Sequence, residues 1–465
     1  MSGCVSPATA AASWRSEVRA TLALGWPIIL TNLAQMAIGI TDTVMMGWLG
    51  PTQLAAGTLG ANLYLGFYVV GVGLTLATAP LLAQSLGARR HAVRACRPVV
   101  RQGLWLAALY CLPAWTVLWH SRAILETLGQ DPVLAEQAGA YGRALMWGLL
   151  PALGTVVLRS FIAARQRPRA GLVVTLAAVG LNALADWALI FGHGGMPALG
   201  VVGAGIASSL SNLFMLLTLL AFVLHDRDFR RFHLLGYWWR PDWPCLRALL
   251  RVGVPMGTAM GFEIAGFTAA ALLMGLIDAA SLAAHAIALQ VASATFMVPM
   301  GLGQAATVRV GLAAGNADGN GVRRAGWTAL ALGVGFMAAM AVALTVWPQA
   351  VVAGFLDRGV PGNEVVAGRA EAFLRVAALF QMADGAQVVG AGALRGLKDT
   401  RRPMLFAGLG YWGIAMPAGI ALAFAGGMGG LGIWIGLALG LGVVAALVIR
   451  RWSRRFRLGL IPDRR

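Results

Sequence analysis

The sequence has few charged residues for its length. Only 12% of its 465 residues are Asp, Glu, Lys or Arg, whereas 58% are hydrophobic. A soluble protein of this size needs far more polar surface than this composition provides. The sequence therefore predicts an all-α polytopic membrane protein.

Several motifs that would indicate other functions are also missing. Cys4, Cys96, Cys111 and Cys245 have no CxxC spacing, so we expect neither a disulfide framework nor a zinc site. The chain has no GxxxxGK[ST] phosphate loop, no HExxH and no GxSxG. We therefore expect neither an ATP-driven pump nor an enzyme, and no bound cofactor.

The basic residues outnumber the acidic ones, 36 to 18, and their placement indicates a topology. Alternate connections between apolar runs hold 31 of the 36 Lys and Arg residues. The positive-inside rule then predicts that both termini lie in the cytoplasm. We interpret the basic clusters at 89–101 and 450–457 as topology determinants that contact anionic lipid, and not as a nucleic-acid site.

Apolar runs of about 20 or more residues predict twelve membrane spans. They are 20–47, 53–83, 99–120, 133–158, 170–192, 199–224, 247–276, 282–312, 325–348, 365–392, 403–425 and 429–449.

The second half of the chain resembles the first. Gly-Trp-Pro at 25–27 aligns with Gly-Val-Pro at 253–255 at an offset of 228, and Leu-Arg at 158–159 aligns with Leu-Arg at 394–395 at an offset of 236. Because six spans is an even number, the two halves form a parallel repeat around a central cleft. The predicted segments are a cytoplasmic N-terminal segment (1–19), an N-lobe (20–224), a cytoplasmic linker (225–246), a C-lobe (247–449) and a basic cytoplasmic tail (450–465).

Four carboxylates lie inside the predicted spans: Asp42, Asp186, Glu263 and Asp384. An acid at the bilayer centre costs about 3 kcal/mol on insertion scales, so four unpaired acids cost on the order of 10 kcal/mol. Such residues usually mark an ion or substrate pathway. The alternative is that they only pair with polar neighbours or lie near helix ends.

Polar residues in the first, fifth and sixth spans are spaced to share helix faces. If these faces meet, they form an oxygen-rich pocket that suits Na⁺ or a proton; Pro27 can kink the first span beside it. The alternative is a polar clamp that only holds helices together. The residues are Asn32, Gln35, Asp42, Asn182, Asp186 and Ser208.

Glu263 and Asp384 are the candidates for a second cation-responsive site, in the C-lobe. Glu263 stands in an almost wholly apolar stretch, and Gln381 and Gln387 flank Asp384 at three residues on either side. A carboxyl group in such surroundings suits a proton carrier or a reversible cation binder. The alternative is an acid satisfied by a neighbouring helix.

Aromatic and methionine residues are candidates for a substrate cavity, because aromatic rings attract cations and methionine adapts to varied shapes. The alternative is that they face lipid or other helices. They are Phe67, Tyr68, Phe262, Phe267, Phe296, Met297 and Met300.

Four short motifs, taken in order, resemble the multidrug and toxic compound extrusion (MATE) family, NorM-like branch. They are Thr-Asp-Thr-Val-Met-Met-Gly at 41–47, Gly-Phe-Glu at 261–263, Gln-Met-Ala-Asp-Gly-Ala-Gln at 381–387 and Gly-Ala-Leu-Arg-Gly at 392–396. The resemblance covers nearly the whole chain. It implies export of cationic or amphipathic drugs in exchange for inward Na⁺ or H⁺, through two bundles that open alternately.

The resemblance also implies roles for particular residues. Asp42, Asn182 and Asp186 resemble the family's N-lobe cation site, while Glu263 and Asp384 resemble its C-lobe acids. Phe380 stands where some sodium-coupled members have tyrosine, and Asp186 stands where some relatives have asparagine. Both differences favour protons, but the choice between H⁺ and Na⁺ stays open.

Two competing functions share parts of this pattern. A flippase or exporter of lipid-linked saccharides can have the same architecture, but it would be expected to place arginines in the central cleft, where this chain has acids. An ion channel would need symmetric subunits or filter loops. We therefore expect a secondary antiporter, functional as a monomer, whose partners are cationic small molecules and the lipid bilayer.

Overall fold

The computed structural model describes residues 13–88, 92–234, 236, 238–357, 360 and 362–461. Every regular element in these ranges is helical, which confirms the all-α polytopic prediction. Cys4, Arg89, Arg358, the start of the predicted N-terminal segment and the end of the basic tail lie outside the described residues.

The first half contains six long helical segments. The first predicted span begins earlier than expected, because the Ser13 side chain caps it by accepting a hydrogen bond from the Ser16 amide, 3.3 Å away. The second span is divided near Leu76, and a 3₁₀ turn at Met146–Gly148 interrupts the fourth. The helices are α1 (Trp14–Leu49), α2 (Pro51–Thr75), α3 (Thr78–Gly87), α4 (Ala92–Trp119), α5 (Ser121–Thr127), α6 (Pro132–Leu145), α7 (Leu149–Ala164), α8 (Arg169–Phe191), α9 (Val201–His225) and α10 (Arg227–Arg230).

The second half repeats this arrangement. Its eleventh span contains two π-helical stretches, Leu409–Ala415 and Ala421–Ala425, on either side of a short α-helix. The helices are α11 (Trp243–Ile277), α12 (Ala279–Gly315), α13 (Gly319–Val346), α14 (Pro348–Ala353), α15 (Asn363–Gly396), α16 (Arg401–Gly408), α17 (Met416–Ile420) and α18 (Gly430–Ser453).

Ten of these helical segments have the length and hydropathy of a membrane span, judged over the described residues. The two other long helices, α4 and α15, have 28 and 34 residues and carry several charged side chains. Both are nevertheless long enough to cross a hydrocarbon core of about 30 Å, since a helix rises about 1.5 Å per residue.

The two halves pack against each other through equivalent helices: α1 contacts α12, and α2 contacts α11. These contacts need small residues. A Cβ atom on Gly253 would lie 2.7 Å from the Leu74 carbonyl oxygen, and one on Gly257 would lie 2.9 Å from the Val70 oxygen. We call the end of the bundle that contains the start of α1, the linker and the end of α18 the basic face. The glycine contacts lie in the half of the bundle nearest that face.

At the opposite face, Asp278 lies in the turn between α11 and α12. The Arg369 guanidinium donates a hydrogen bond to its carboxylate, and the Ser281 amide, 2.7 Å away, donates another. These two hydrogen bonds, that of Arg369 first, lower the pKa of Asp278 from 3.8 to about 2.

This shift predicts a dependence of stability on pH. Because the native pKa of Asp278 lies below its unfolded value, the pair contributes stability above about pH 4 and loses it as the pH falls through about 2. We expect Asp278→Asn to lower the Tm of the purified protein at neutral pH, since asparagine can still cap α12 but cannot form the ion pair. The difference in Tm between variant and wild type should shrink between pH 4 and pH 2. A difference that stays constant over that range would contradict the assignment.

Candidate functional site

The predicted polar faces of α1 and α8 meet inside the N-lobe, together with Ser208 of α9. The Asn182 amide nitrogen donates to Asp42 and to Asp186, each at 2.6 Å. The Ser208 hydroxyl donates to the second oxygen of Asp42 at 2.5 Å. All four side chains are buried. The structure thus brings four of the six predicted N-lobe residues into one pocket, which we call the N-lobe pocket.

The N-lobe pocket has more acceptor oxygens than donors. In the part of the chain that the structure describes, Asn182 Oδ1 and Asp186 Oδ1 are buried without a hydrogen-bond partner. A buried acceptor without a donor is costly, and two carboxylates that share one amide repel each other when both are ionised. A proton or a small cation would relieve both costs. The N-lobe pocket is therefore chemically suited to reversible cation binding.

Asn32 and Gln35 lie elsewhere on α1. Asn32 is ten residues from Asp42, which is about 15 Å along a helix, so it lies too far along α1 to reach the N-lobe pocket. Asn32 is buried with its amide nitrogen unpartnered, and Gln35 accepts a hydrogen bond from Arg159 at 2.8 Å. They do not belong to the N-lobe pocket, and their role as supporting polar residues stays a prediction. Pro27 lies inside α1, and the kink stays a prediction.

In the C-lobe, α15 carries a run of buried polar atoms that lack partners. Among the described residues, Asp384 Oδ1, Gln387 Oε1 and both polar atoms of the Gln381 amide have no hydrogen bond. Glu263 of α11 is close enough to Asp384 for the two acids to interact electrostatically. Among the described residues, no neighbouring helix donates a hydrogen bond to Asp384 Oδ1. A buried oxygen without a partner is what a site for water or a cation requires.

A narrow cleft opens beside Glu263. It encloses about 30 Å³, which is room for one or two water molecules and far too little for a drug molecule. Gln387, Arg395 and Thr400 line it together with Glu263. The cleft therefore extends from the acid toward the end of α15, which lies near the basic face.

Two tyrosines lie beside the acids and were not identified from the sequence. Tyr141 of α6 is buried next to the N-lobe pocket, close enough to interact with both carboxylates. Tyr411, in the first π-helical stretch, is buried near Glu263 and Asp384, and its hydroxyl has no partner among the described residues. π-helical segments recur at functional sites, but neither hydropathy nor helical spacing indicates such a segment in a sequence.

The residues proposed for a substrate cavity are dispersed. Phe267 packs edge-on against Phe380 and Tyr411, with ring centroids 6.0 and 6.1 Å away. It is therefore partly buried against the C-lobe core. Tyr68 stacks on Tyr64, at a centroid distance of 6.0 Å.

The other cavity candidates are partly buried. A Cβ atom on Gly408 would lie 3.1 Å from the ring of Phe262, and Phe67 and Phe296 pack against hydrophobic clusters. Met297 and Met300 are half-buried on α12. None of the seven lines the cleft beside Glu263, so a role in drug binding stays a prediction.

Comparison with known proteins gives a consistent result. The MatE family model matches residues 27–188 and 255–421, two stretches whose starts are separated by the 228-residue offset of the internal repeat. "Probable multidrug resistance protein NorM" of Mesorhizobium japonicum is 55% identical over 445 residues, covering 96% of this chain and 95% of that protein. "Multidrug resistance protein NorM" of Burkholderia vietnamiensis is 39% identical over 454 residues, covering 97% of each chain.

Solved structures agree with this fold. A eukaryotic MATE transporter, AtDTX14, matches with a TM-score of 0.84 at 20% identity, covering 96% of this chain and 99% of that one. A multidrug resistance MATE family transporter described as outward-facing matches with a TM-score of 0.86 at 20% identity, covering 96% and 97%. The match of the family model to both halves, with the identity to these relatives over nearly the whole length, shows that the chain belongs to the multidrug and toxic compound extrusion (MatE) family.

Proposed function

We propose that this protein exports cationic and amphipathic drugs across the bacterial inner membrane in exchange for inward H⁺ or Na⁺. The observation that carries the proposal is the N-lobe pocket, in which two buried carboxylates share the Asn182 amide and lie among unpartnered oxygens. The names of the relatives, multidrug resistance proteins, support drugs as the cargo. The protein has no resident cofactor in this proposal, and it works as a monomer.

We favour protons over sodium as the coupling ion. Asp186 adds a second carboxyl group to the N-lobe pocket, and two acids so close can hold one proton between them. Phe380 has no hydroxyl to offer a sodium ion, although Tyr411 supplies one nearby. Na⁺ therefore remains the alternative coupling ion.

The transport cycle in this proposal is alternating access of the N-lobe (20–224) and the C-lobe (247–449). The basic face is cytoplasmic, and the structure corresponds to a state closed at that face. Two polar contacts between the lobes support this state. Glu17 of α1 forms a bidentate ion pair with Arg309 of α12, at 2.9 and 2.8 Å, and the Gln84 amide donates to the Gly396 carbonyl at 2.8 Å.

Export of lipid-linked saccharides remains the competing function, and buried arginines would favour it. Arg159 and Arg395 are half-buried within the lobes, but each faces an acceptor of its own lobe, Gln35 or Glu263. The fully buried arginines among the described residues, Arg101 and Arg455, lie in the parts of α4 and the tail near the basic face. Arginines that recognise a diphosphate would instead be expected to converge on one site. The arrangement of charge therefore supports a cationic cargo.

Ethidium efflux from membrane vesicles tests this proposal. Vesicles that contain the protein should expel ethidium when a gradient of the coupling ion is imposed, either an inward H⁺ gradient or an inward Na⁺ gradient. Of the two, we expect the H⁺ gradient to drive the efflux. Vesicles without the protein are the control. Equal efflux from both kinds of vesicle under both gradients would contradict the proposed function.

A further inference from the structure

Arg159 and Arg395 occupy equivalent positions of the internal repeat. The Leu-Arg at 158–159 aligns with the Leu-Arg at 394–395 at an offset of 236, and Gln35 aligns with Glu263 at an offset of 228. Each lobe therefore combines one arginine with one position that is Gln in the N-lobe and Glu in the C-lobe. The two lobes share a side-chain pair that differs by a single charge.

In the N-lobe this pair is closed. The Arg159 guanidinium donates to the Gln35 side-chain oxygen at 2.8 Å, a partly buried contact that joins α7 to α1. Gln35 carries no charge, so it does not attract a cation that could displace Arg159 from this contact. We expect it to hold the two helices together in every state of the protein.

In the C-lobe the equivalent pair is open. Arg395 and Glu263 line the same cleft of about 30 Å³, and within the described residues no direct ion pair joins them. They nevertheless interact electrostatically across it. The other charged or titratable groups that face Glu263 are Asp384 and Tyr411. Arg395 is therefore the one positive charge among the described groups that face this acid.

An ionised carboxylate inside the membrane is costly unless a positive charge compensates it. A cation bound at Glu263 provides that compensation, but it must leave once in every transport cycle. A guanidinium that lines the same cleft without direct contact can compensate the carboxylate without blocking the site, because it attracts the carboxylate without forming a closed pair with it. It also repels the bound cation and so weakens its binding at Glu263.

We propose that Arg395 is the internal counter-ion of Glu263. Its guanidinium compensates the Glu263 carboxylate after the coupling cation has left. The pair of Arg159 and Gln35 is the N-lobe equivalent, in which the partner of the arginine is uncharged. The inference rests on the proposed function, because it takes Glu263 to be a cation site. It adds a positioning residue, Arg395, that sets how strongly the C-lobe holds its cation. The N-lobe pair does not respond to cations.

A test that contains no drug separates this inference from the export proposal. The apparent Tm of the purified protein is measured in detergent while the Na⁺ concentration or the pH is varied, since a cation that binds the native state raises Tm. In Arg395→Gln the competing charge is gone, so the midpoint of this rise should move to a cation concentration lower by on the order of tenfold. Arg395→Lys keeps the charge and should stay close to wild type.

Two matched variants show whether the effect depends on charge at Glu263. Arg159→Gln removes the equivalent arginine and should leave the midpoint unchanged, even if it lowers Tm. Glu263→Gln gives the C-lobe the same arginine–glutamine pair that the N-lobe has. In this background, Arg395→Gln should no longer move the midpoint. If Arg395→Gln does not accumulate in the membrane, Glu263→Asp withdraws the carboxylate by one methylene and should give a smaller shift in the same direction.

Failure of the inference would look different from failure of the proposed function. A midpoint that neither Arg395→Gln nor Glu263→Asp moves, or that Arg159→Gln moves equally, would overturn the inference while ethidium efflux continued. A wild-type Tm that responds to neither Na⁺ nor protons would also overturn it. Vesicles that export no ethidium would overturn the export proposal alone.

Discussion

Asp42→Asn is expected to abolish ion-driven efflux of ethidium while the protein still inserts and folds. Asparagine preserves the shape of the side chain, and its amide oxygen can still accept the hydrogen bond that the Ser208 hydroxyl donates to Asp42, with the two oxygens 2.5 Å apart. It cannot ionise, so the N-lobe pocket can no longer take up and release a cation. Efflux should fall to the level of vesicles without the protein, a loss on the order of a hundredfold or more. Ethidium efflux from vesicles, at matched amounts of protein, measures it.

Asp228→Asn is a suitable control for this prediction. Asp228 lies at the basic face with 58% of its side chain exposed, where it pairs with Arg167. Its neutralisation should leave efflux close to the wild-type rate, because exposed ion pairs contribute little.

Glu263→Gln and Asp384→Asn should impair export as Asp42→Asn does. Normal export by all three variants would require these sites to be abandoned.

Disruption of the ion pair between Glu17 and Arg309 is expected to open the basic face. The Glu17 side chain is only 6% exposed and the Arg309 side chain 21%, so the pair is largely shielded from water. Removal of one partner from such a pair costs about 3 kcal/mol, which corresponds to about a hundredfold change in an equilibrium between two states. Glu17→Gln should therefore move the protein toward the state in which the lobes separate at this face.

Distances between spin labels measure this opening directly. Arg94 of α4 and Arg323 of α13 are exposed near the basic face, one in each lobe, and can be replaced by cysteine for labelling. In wild type we expect one short distance, and in Glu17→Gln a second, longer population. The exchanged pair Glu17→Arg with Arg309→Glu should restore the short distance. A distance distribution that Glu17→Gln leaves unchanged would show that this ion pair does not hold the lobes together.

Much of the fold could be predicted because apolar length and charge placement are strong signals in membranes. The seventh span, predicted at 247–276, is α11 (Trp243–Ile277). The ninth was placed at 325–348, whereas α13 ends at Val346 because a new helix starts at Pro348. The π-helical stretches in the eleventh span were not predicted, because hydropathy is insensitive to the way in which a helix is hydrogen-bonded.

The candidate site was partly predictable for a different reason. Acids inside a span must find partners, and this requirement together with the four-residue spacing of Asn182 and Asp186 led to the N-lobe pocket. Arg159 and Arg395 are among the 31 basic residues that the sequence analysis assigned to alternate connections, because both lie near the ends of apolar runs. Their position within the lobes depends on which helix faces them. That is a property of the tertiary structure alone.

The exchange of a drug for a cation can be tested most directly by running it backwards. Purified protein in sealed liposomes, with no ion gradient imposed, would be given an ethidium gradient while internal pH and Na⁺ are followed. We expect ethidium moving down its gradient to drive H⁺, or else Na⁺, the opposite way across the membrane, and Asp42→Asn liposomes to show no such flux. Ethidium transport without any counter-movement of either ion would contradict it.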